Sequence, residues 1–386
     1  MTPGSTTAGL RGLRVRGPFR GGTGYDYLTR AFVRAFVSLG VRVQLEEFRE
    51  WSLPLPPHLQ DPFFDQLAAP VAADIDLQFV MPHQVIATAG SLTANYTMFE
   101  ATRIPAPWVG HAGRCSVIIV PARSSVEAWT SAGIPLERLR RSPIGVRAGM
   151  DAERVTPLPL RDRAGRPVSS YRYRFLNLAE LGPRKNLLGL LEVWMRATRP
   201  ADDAVLILKM NVFRPDLAQL FAADLADLAR RLGKSFDDCA PVCITTDYLP
   251  DADLPGLYRT ATHYMSMSFG EGWDVPMTEA AAAGLTLIAP RHSAYLDYLD
   301  DESAHLIPVR EDAIDVAGSR LAQVDAVLFD GLRWWIPDAC WATELIRSIL
   351  DGRAPVKVSP QRRIIEQYAW ARVADQLLGI LSQLSP

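Results

Sequence analysis

Short apolar runs and longer amphipathic stretches follow one another along this chain. Residues 13–15 form a first apolar run, and a glycine-rich segment separates it from residues 26–39, where apolar side chains recur on one helical face. Gly40 ends that stretch, and residues 41–43 begin the next apolar run. The order strand, loop, helix, strand is typical of a parallel β-α-β unit.

The same rhythm continues on both sides of a break near residue 150. Residues 155–167, with three prolines and several charges, suit a connection between domains. The patterns predict strands at residues 75–80, 96–99, 117–120, 175–178, 204–208, 242–245, 263–267 and 285–289. They predict helices at residues 124–133, 186–196, 216–232, 252–260, 276–283 and 359–384. A chain of 386 residues is long enough for two such α/β cores.

Composition and charge narrow the class of protein. Hydrophobic residues make up 48% and charged residues 22%, which excludes a disordered or fibrous chain. The four cysteines lack metal-ligand spacing, and no apolar leader or spanning run of about 18 residues appears, so we expect a cytoplasmic protein. Residues 1–174 carry 21 Lys and Arg against 14 Asp and Glu. Peripheral membrane contact through this basic half and a random scatter of charge both stay open.

Two carboxylates flank a helix start near residue 276. Glu271 lies in the loop after a predicted strand, and Glu279 lies about one turn inside the next helix. A helix N-terminus offers free N–H groups and the positive end of its dipole, which together attract anions. The backbone at this terminus is a candidate phosphate site, which comprises Gly272, Trp273, Asp274 and Val275. A helix with an acidic first turn is an equally good interpretation of the pattern alone.

A second candidate is the cation pair Arg184-Lys185, which lies between a predicted strand and the start of a helix. Two cations at a helix N-terminus oppose its dipole, and this placement makes sense when an anion binds there. Arg supplies a fork for phosphate oxygens and Lys supplies a point charge. A solvated basic pair is the alternative.

Together these segments resemble the E-x7-E signature of retaining glycosyltransferases of family four, which have the GT-B fold. That resemblance implies two Rossmann-like domains, at residues 1–165 and 166–358, that face each other across a cleft. It also implies a C-terminal helix within residues 359–386 that packs back on the first domain. Glu271 would contact the transferred sugar, Glu279 the ribose, and Arg184 with Lys185 the leaving diphosphate. Asp274 stands where the family often has Gly, and an acid there disfavours a diphosphate unless its side chain points away.

Three weaker matches complete the resemblance. The glycine loop Gly22-Thr23-Gly24 would close over the donor phosphates, although its spacing departs from the dinucleotide fingerprint. Leu249 lies in the stretch that would hold the base through backbone groups. Glu100 takes the place at which many relatives have a reacting-centre His, with His83 and His111 as alternatives.

The sequence therefore predicts a retaining transferase that moves a sugar from a nucleotide-diphosphate sugar to an unidentified hydroxyl or other nucleophile, whether of a small molecule, glycan, lipid or protein. We expect no tightly bound cofactor and no essential metal, because Asp251-Ala252-Asp253 lies outside the usual metal setting. A nucleotide-sugar epimerase, an inverting transferase and a non-catalytic nucleotide-sugar-binding homologue are the alternatives. The missing fingerprint disfavours an NAD dehydrogenase, and the absence of a basic stripe disfavours nucleic-acid binding.

Overall fold

The computed structural model describes residues 10, 12–50, 54–151, 155–212, 215–315, 320, 326–329 and 331–384. The chain divides into two compact units. The first unit comprises residues 1–147 and 366–386, and the second comprises residues 148–365.

The first unit is built on a six-stranded parallel sheet with the strand order β2-β1-β3-β4-β5-β6. Its strands are β1 Leu13–Gly17, β2 Val43–Glu47, β3 Ile75–Phe79, β4 Leu92–Tyr96, β5 Val117–Val120 and β6 Leu139–Arg141. The helices are α1 Gly24–Ser38, α2 Ala106–His111 and α3 Arg123–Thr130. Every residue of β3 and β5 is buried, as expected for inner strands of a parallel sheet that is covered on both faces.

The second unit repeats this plan with the strand order β12-β11-β10-β7-β8-β9, again all parallel. Its strands are β7 Tyr173–Glu180, β8 Ala204–Asn211, β9 Val242–Thr245, β10 His263–Met265, β11 Thr286–Pro290 and β12 Ala304–Ile307. An antiparallel pair follows, β13 Val309–Ala313 and β14 Arg333–Pro337. The helices are α4 Leu187–Ala197, α5 Pro215–Leu232, α6 Leu254–Thr260, α7 Val275–Ala282, α8 Tyr295–Tyr298, α9 Ala326–Phe329 and α10 Ala339–Leu350.

The core of the second unit lies between one face of its sheet and helices α4, α5 and α10. Trp194 of α4 is fully buried and packs edge-on against Phe175 of β7 at 5.3 Å between ring centroids. Its indole N–H donates to the carbonyl oxygen of Ala240, so the one polar atom of this ring is satisfied. The residues of the candidate site follow the carboxyl ends of strands in this sheet.

The strand predicted at residues 96–99 is wrong, because β4 ends at Tyr96 and residues 97–100 have no regular structure. The strand contains the buried polar residues Thr93 and Asn95, which conceal it in a hydropathy pattern. The side-chain N–H groups of Asn95 donate to the carbonyl oxygens of Gln78 and Val80, while its buried Oδ1 has no hydrogen-bond partner among the described residues.

The C-terminal tail forms two helices, α11 Gln361–Tyr368 and α12 Trp370–Ser382, rather than one. The break falls at Ala369, where the backbone N–H of Val146 donates to the carbonyl oxygen of Tyr368. Helix α12 buries its apolar face and packs on α1 of the first unit, as the fold prediction required.

Trp370 anchors this return of the chain. Its ring meets Phe32 of α1 edge-on at 5.0 Å, and its indole N–H donates to the hydroxyl of Tyr27. Gly145 makes room for the ring, because a Cβ there would lie 2.4 Å from the indole. Among the described residues, no helix is both long enough and apolar enough to cross a membrane.

Candidate functional site

Glu271 is the centre of a buried ionic cluster in the second unit. Only 3% of its side chain is exposed. One carboxylate oxygen accepts a hydrogen bond from Arg184 Nη1 at 2.8 Å, and the other accepts one from Lys185 Nζ at 2.7 Å. Burial acts to raise the pKa of Glu271, but the two cations outweigh it and hold the pKa below its usual range. Glu271 is therefore a carboxylate paired with two cations.

The turn Pro183–Lys185 that follows β7 presents both cations. Arg184 Nη1 also donates to the carbonyl oxygen of Gly270, and the Phe269 N–H donates back to the Arg184 carbonyl. Two loops from different strands are thereby joined on both sides of Glu271. The contacts span more than 80 residues of sequence and depend on the fold, not on local spacing.

Asn186 locks the turn in place, and sequence reasoning did not identify it. Its backbone is left-handed (φ 49°), a conformation that Asn tolerates better than most residues. Its side-chain oxygen caps α4 by accepting from the Gly189 N–H, and its side-chain N–H donates to the carbonyl oxygen of Met267. The cation pair is thus tied to the segment that leads from β10 to Glu271.

Asp274 points away from the helix that it precedes. Its backbone is left-handed (φ 64°), and its side chain accepts from the Tyr295 hydroxyl at 2.7 Å instead of capping α7. The other carboxylate oxygen, Oδ1, is buried, lies 4.0 Å from Lys185 Nζ, and has no hydrogen-bond partner among the described residues. Burial, followed by the neighbouring Glu271, raises the pKa of Asp274 to about 6.

Two backbone N–H groups in the first turn of α7 already have hydrogen-bond acceptors. The N–H groups of Met277 and Thr278 donate to the Asp274 carbonyl, and Pro276 has no N–H. An anion at this terminus would therefore be bound by backbone N–H groups earlier in the loop, within residues 272–275. These are the four residues that the sequence predicted as a phosphate site.

A chain of hydrogen bonds through Ser293 and His292 fixes the backbone of Glu271. Neither residue was predicted as part of the site. The Glu271 N–H donates to Ser293 Oγ, and Ser293 Oγ lies 2.7 Å from His292 Nδ1. His292 Nε2 is 2.8 Å from the Ser268 carbonyl oxygen, which only accepts, so the proton is on Nε2 and the Ser293 hydroxyl donates to Nδ1. Burial lowers the pKa of His292 to about 4 and keeps the ring neutral. Trp335 stacks on this ring at 5.2 Å.

Glu279, the second carboxylate of the motif, lies inside α7 and is 3% exposed. It accepts a hydrogen bond at 2.9 Å from the hydroxyl of Tyr258, which belongs to α6. The Tyr258 ring contacts Tyr264 of β10, and the pKa of Tyr264 is raised first by burial and then by Asp274, Glu271 and Glu279. The three acids thus surround one buried tyrosine in the second unit.

Leu249 is half-buried in the loop after β9. Trp273 is buried, and its carbonyl oxygen accepts a hydrogen bond from the hydroxyl of Tyr298. The predicted residues of the second unit therefore fall in the segments that follow β7, β9 and β10. All of these segments leave the same carboxyl edge of one parallel sheet.

The glycine loop belongs to the first unit, where it forms a helix cap. Thr23 is the N-cap of α1 in a capping box with Asp26. The Asp26 carboxylate also accepts from the Gly21 N–H at 2.7 Å and from the Thr23 N–H at 3.1 Å. Of the three residues that we expected to close over the donor phosphates, Thr23 therefore has its amide bound within the loop. Gly22 and Gly24 flank Thr23 in the same loop.

Glu100 also belongs to the first unit, next to Tyr25 of α1. The Tyr25 hydroxyl accepts from the Met98 N–H at 3.1 Å and lies 3.3 Å from Thr97 Oγ1. Burial raises the pKa of Tyr25 strongly, and nearby Glu100 adds to this. The structure thus brings the residues after β4 to the start of α1.

The alternative histidines form a pair of their own. The rings of His83 and His111 are 6.3 Å apart, and Trp108 lies 6.2 Å from His83. Burial, followed by the proximity of His111, lowers the pKa of His83. Within the part of the chain that the structure describes, no group of three or more His, Cys, Asp or Glu side chains has an arrangement that could hold a metal ion.

Comparison with known proteins identifies the fold. No protein-family model matches the sequence, and no curated protein matches it. Among solved structures, Anabaena HepE in complex with UDP and glucose is 13% identical, with a TM-score of 0.65 over 97% of this chain and 100% of HepE. Another HepE structure contains UDP-glucose.

Two further structures agree over nearly the whole chain. Sucrose-phosphate synthase from Thermosynechococcus elongatus is 14% identical, with a TM-score of 0.60 over 97% of this chain and 99% of that chain. The lipopolysaccharide outer core galactosyltransferase WaaB is 11% identical, with a TM-score of 0.55 over 96% of this chain and 99% of that chain. The fold is therefore the α/β GT-B fold of glycosyltransferases, as predicted.

Proposed function

We propose that this protein is a retaining glycosyltransferase that uses a nucleotide-diphosphate sugar. The observation that carries the proposal is the trio formed by the buried Glu271 and the half-buried Arg184 and Lys185 at the carboxyl edge of the second sheet. The fold supports it, since HepE is a structural neighbour that has been solved with UDP and UDP-glucose. The neighbours share 14% identity or less, so the site residues carry the argument for this chain.

The charges of the trio fit a diphosphate. Glu271 occupies both cations in the structure, and a diphosphate brings more negative charge than one carboxylate. On donor binding, Arg184 and Lys185 would pair with the phosphate oxygens. Glu271 would then accept hydrogen bonds from hydroxyls of the sugar. The exchange replaces one set of charged hydrogen bonds by another, so no buried charge is left alone.

The proposed reaction takes place on one face of the sugar. The acceptor oxygen bonds to the anomeric carbon on the face from which the diphosphate oxygen leaves, and the acceptor proton passes to that phosphate oxygen. The configuration at the anomeric carbon is thereby kept. Arg184, Lys185 and the backbone N–H groups of residues 272–275 stabilise the charge that develops on the leaving diphosphate. We expect these groups to do so without a divalent ion.

An experiment that needs no known acceptor tests the proposal. The protein is incubated with α-linked UDP- and GDP-sugars, and proton NMR follows the slow transfer of the sugar to water. A retaining enzyme releases the α-anomer before mutarotation, whereas first release of the β-anomer would exclude retention. Conversion of the donor to its epimer would indicate an epimerase. Tight binding without turnover would support the non-catalytic alternative.

A further inference from the structure

The proposed mechanism leaves one interior cation unused. Lys209 lies on β8, two residues before the strand ends, and is 2% exposed. Its Nζ donates to the side-chain oxygen of Asn211 at 2.7 Å and to the Met210 carbonyl at 3.4 Å. Burial lowers the pKa of Lys209 to about 8, although nearby Asp247 opposes this. Burial of an ammonium group costs free energy unless the group is paired and hydrogen-bonded.

The position of Asn211 in the sheet is informative. The second sheet has the order β10-β7-β8-β9, and each of these strands leads at its carboxyl end to a predicted donor segment or to Asn211. Glu271 follows β10, the cation pair follows β7, Asn211 ends β8, and Leu249 follows β9. At about 4.8 Å per strand, this row is about 14 Å long, the scale of an extended nucleoside diphosphate. Asn211 thus lies between the diphosphate end and the base end.

Lys209 determines how the Asn211 amide is oriented. An ammonium group donates hydrogen bonds and accepts none, so the amide oxygen faces Lys209 and the amide nitrogen faces away from it. Asn211 is half-buried at the end of β8, and its amide nitrogen is not among the buried side-chain atoms that lack a hydrogen bond. An Asn held in this way offers only a donor, whereas an unrestrained Asn could turn and offer an acceptor.

We propose that Asn211, oriented by Lys209, determines base specificity by favouring a donor nucleotide whose base carries a carbonyl at C4 of a pyrimidine or at C6 of a purine. Uracil and guanine have an exocyclic oxygen acceptor where cytosine and adenine have an amine. A fixed amide donor pairs with the oxygen and opposes the amine. Asn211 is then a specificity residue and Lys209 a positioning residue. The inference rests on the proposed function, because it assumes that a nucleoside diphosphate binds along this edge.

Calorimetry with UDP and CDP tests it, because the two ligands share a ring size and differ in that exocyclic group. The wild-type protein is expected to bind UDP about tenfold more tightly than CDP, as one hydrogen bond of discrimination implies. Asn211→Ala should weaken UDP binding and leave CDP binding nearly unchanged. Asn211→Asp offers only acceptors and should reverse the preference.

Substitutions of Lys209 test whether this residue orients the Asn211 amide or only supports the fold. Lys209→Met frees the amide to turn, so the UDP-to-CDP affinity ratio should fall toward one, and Lys209→Arg, which also only donates, should restore it. A purely structural role would weaken both ligands alike and leave the ratio unchanged. Arg184→Ala is the control, because loss of a phosphate contact lowers affinity for both ligands equally.

The outcomes distinguish the two proposals. An unchanged ratio in both Asn211 variants, with tight diphosphate binding by the wild type, would overturn this inference and leave the proposed function standing. A wild-type protein that binds none of UDP, CDP, GDP and ADP would overturn the proposed function, and the base inference with it.

Discussion

The glycine loop of the first unit and the Glu271 cluster of the second unit are both polar segments that follow a strand, yet they are built differently. In the loop, the bonds of Asp26 to Gly21 and Thr23 join residues at most five positions apart. In the cluster, the bonds of Glu271 to Arg184 and Lys185 join residues 86 and 87 positions apart. One segment satisfies itself locally, and the other is assembled by the fold.

The difference indicates different roles: the loop is typical of a structural cap, and the cluster is typical of a functional site. The loop has used two of its amides to start α1, so it forms a complete cap without a ligand. The cluster holds two buried carboxylates beside two half-buried cations, with one oxygen of Asp274 lacking a hydrogen bond among the described residues. Buried charge is expensive to maintain, and its presence here is typical of a functional site.

The largest expected effect comes from Glu271→Gln, which removes the shared partner of both cations but keeps the shape of the side chain. Turnover of a nucleotide sugar should fall on the order of 100-fold. The variant should stay folded, which circular dichroism checks. The exposed Glu302 offers a matched control, and Glu302→Gln should behave as wild type. Near-normal turnover in Glu271→Gln would remove this carboxylate from the mechanism.

Arg184→Ala tests the other half of the trio. Loss of a charged hydrogen bond to phosphate should weaken binding of a nucleoside diphosphate by about 1.5–3 kcal/mol. Isothermal titration calorimetry measures this directly. Arg310, which is exposed and pairs with Asp312, provides the control substitution Arg310→Ala. Unchanged affinity in Arg184→Ala would place the phosphates elsewhere.

Asp274→Asn should stabilise the protein in a pH-dependent way. The folded-state pKa of Asp274 is about 6, above that of an unfolded Asp, so its contribution to stability falls as pH rises from about 4 through 6. The stability of the variant relative to wild type should increase over that interval by at most about 3 kcal/mol. Thermal unfolding between pH 4.5 and 7.5 measures it. An Asp274→Asn curve that runs parallel to wild type would show that this carboxyl does not titrate with folding.

The smallest expected effect concerns the glycine loop. Asp26→Ala leaves the Gly21 and Thr23 N–H groups without their acceptor and should destabilise α1 by about 1–2 kcal/mol. Amide hydrogen exchange in residues 13–38 detects such a local loss. Asp26→Asn retains one acceptor and should lose less. UDP affinity should stay within about twofold of wild type, and a larger drop would give the loop a role beyond capping.

The sequence was sufficient for most of the architecture, and it led to the prediction of three charged residues that the fold brings together. Apolar periodicity predicted most strands and helices, and motif spacing singled out Glu271 and the cation pair. The residues that hold them, Asn186, Ser293 and His292, were missed. Each of these acts through a contact with a distant backbone group, and such a contact leaves no periodic trace.

Strand β4 was misplaced for a related reason. The side-chain N–H groups of its buried Asn95 donate to backbone carbonyls at the neighbouring strand, and hydropathy along one strand does not record its neighbours. Motif spacing does not predict the direction of the Asp274 side chain, because the side chain turns to Tyr295, 21 positions away, and not to the helix. Local sequence patterns therefore predict secondary-structure elements and charged residues well. They do not predict hydrogen bonds between residues that are far apart in the sequence.

The return of α12 to the first unit has a consequence for synthesis of the chain. The core that Trp370 closes against Phe32 is assembled from residues 1–147 and 366–386, with the whole second unit between them in sequence. Domains generally fold as they emerge from the ribosome, N-terminal first. The part of α1 that packs on α12 therefore stays uncovered until residues 366–386 have been synthesised, after the whole second unit. Completion of the first core thus depends on a segment that is made later than the second unit.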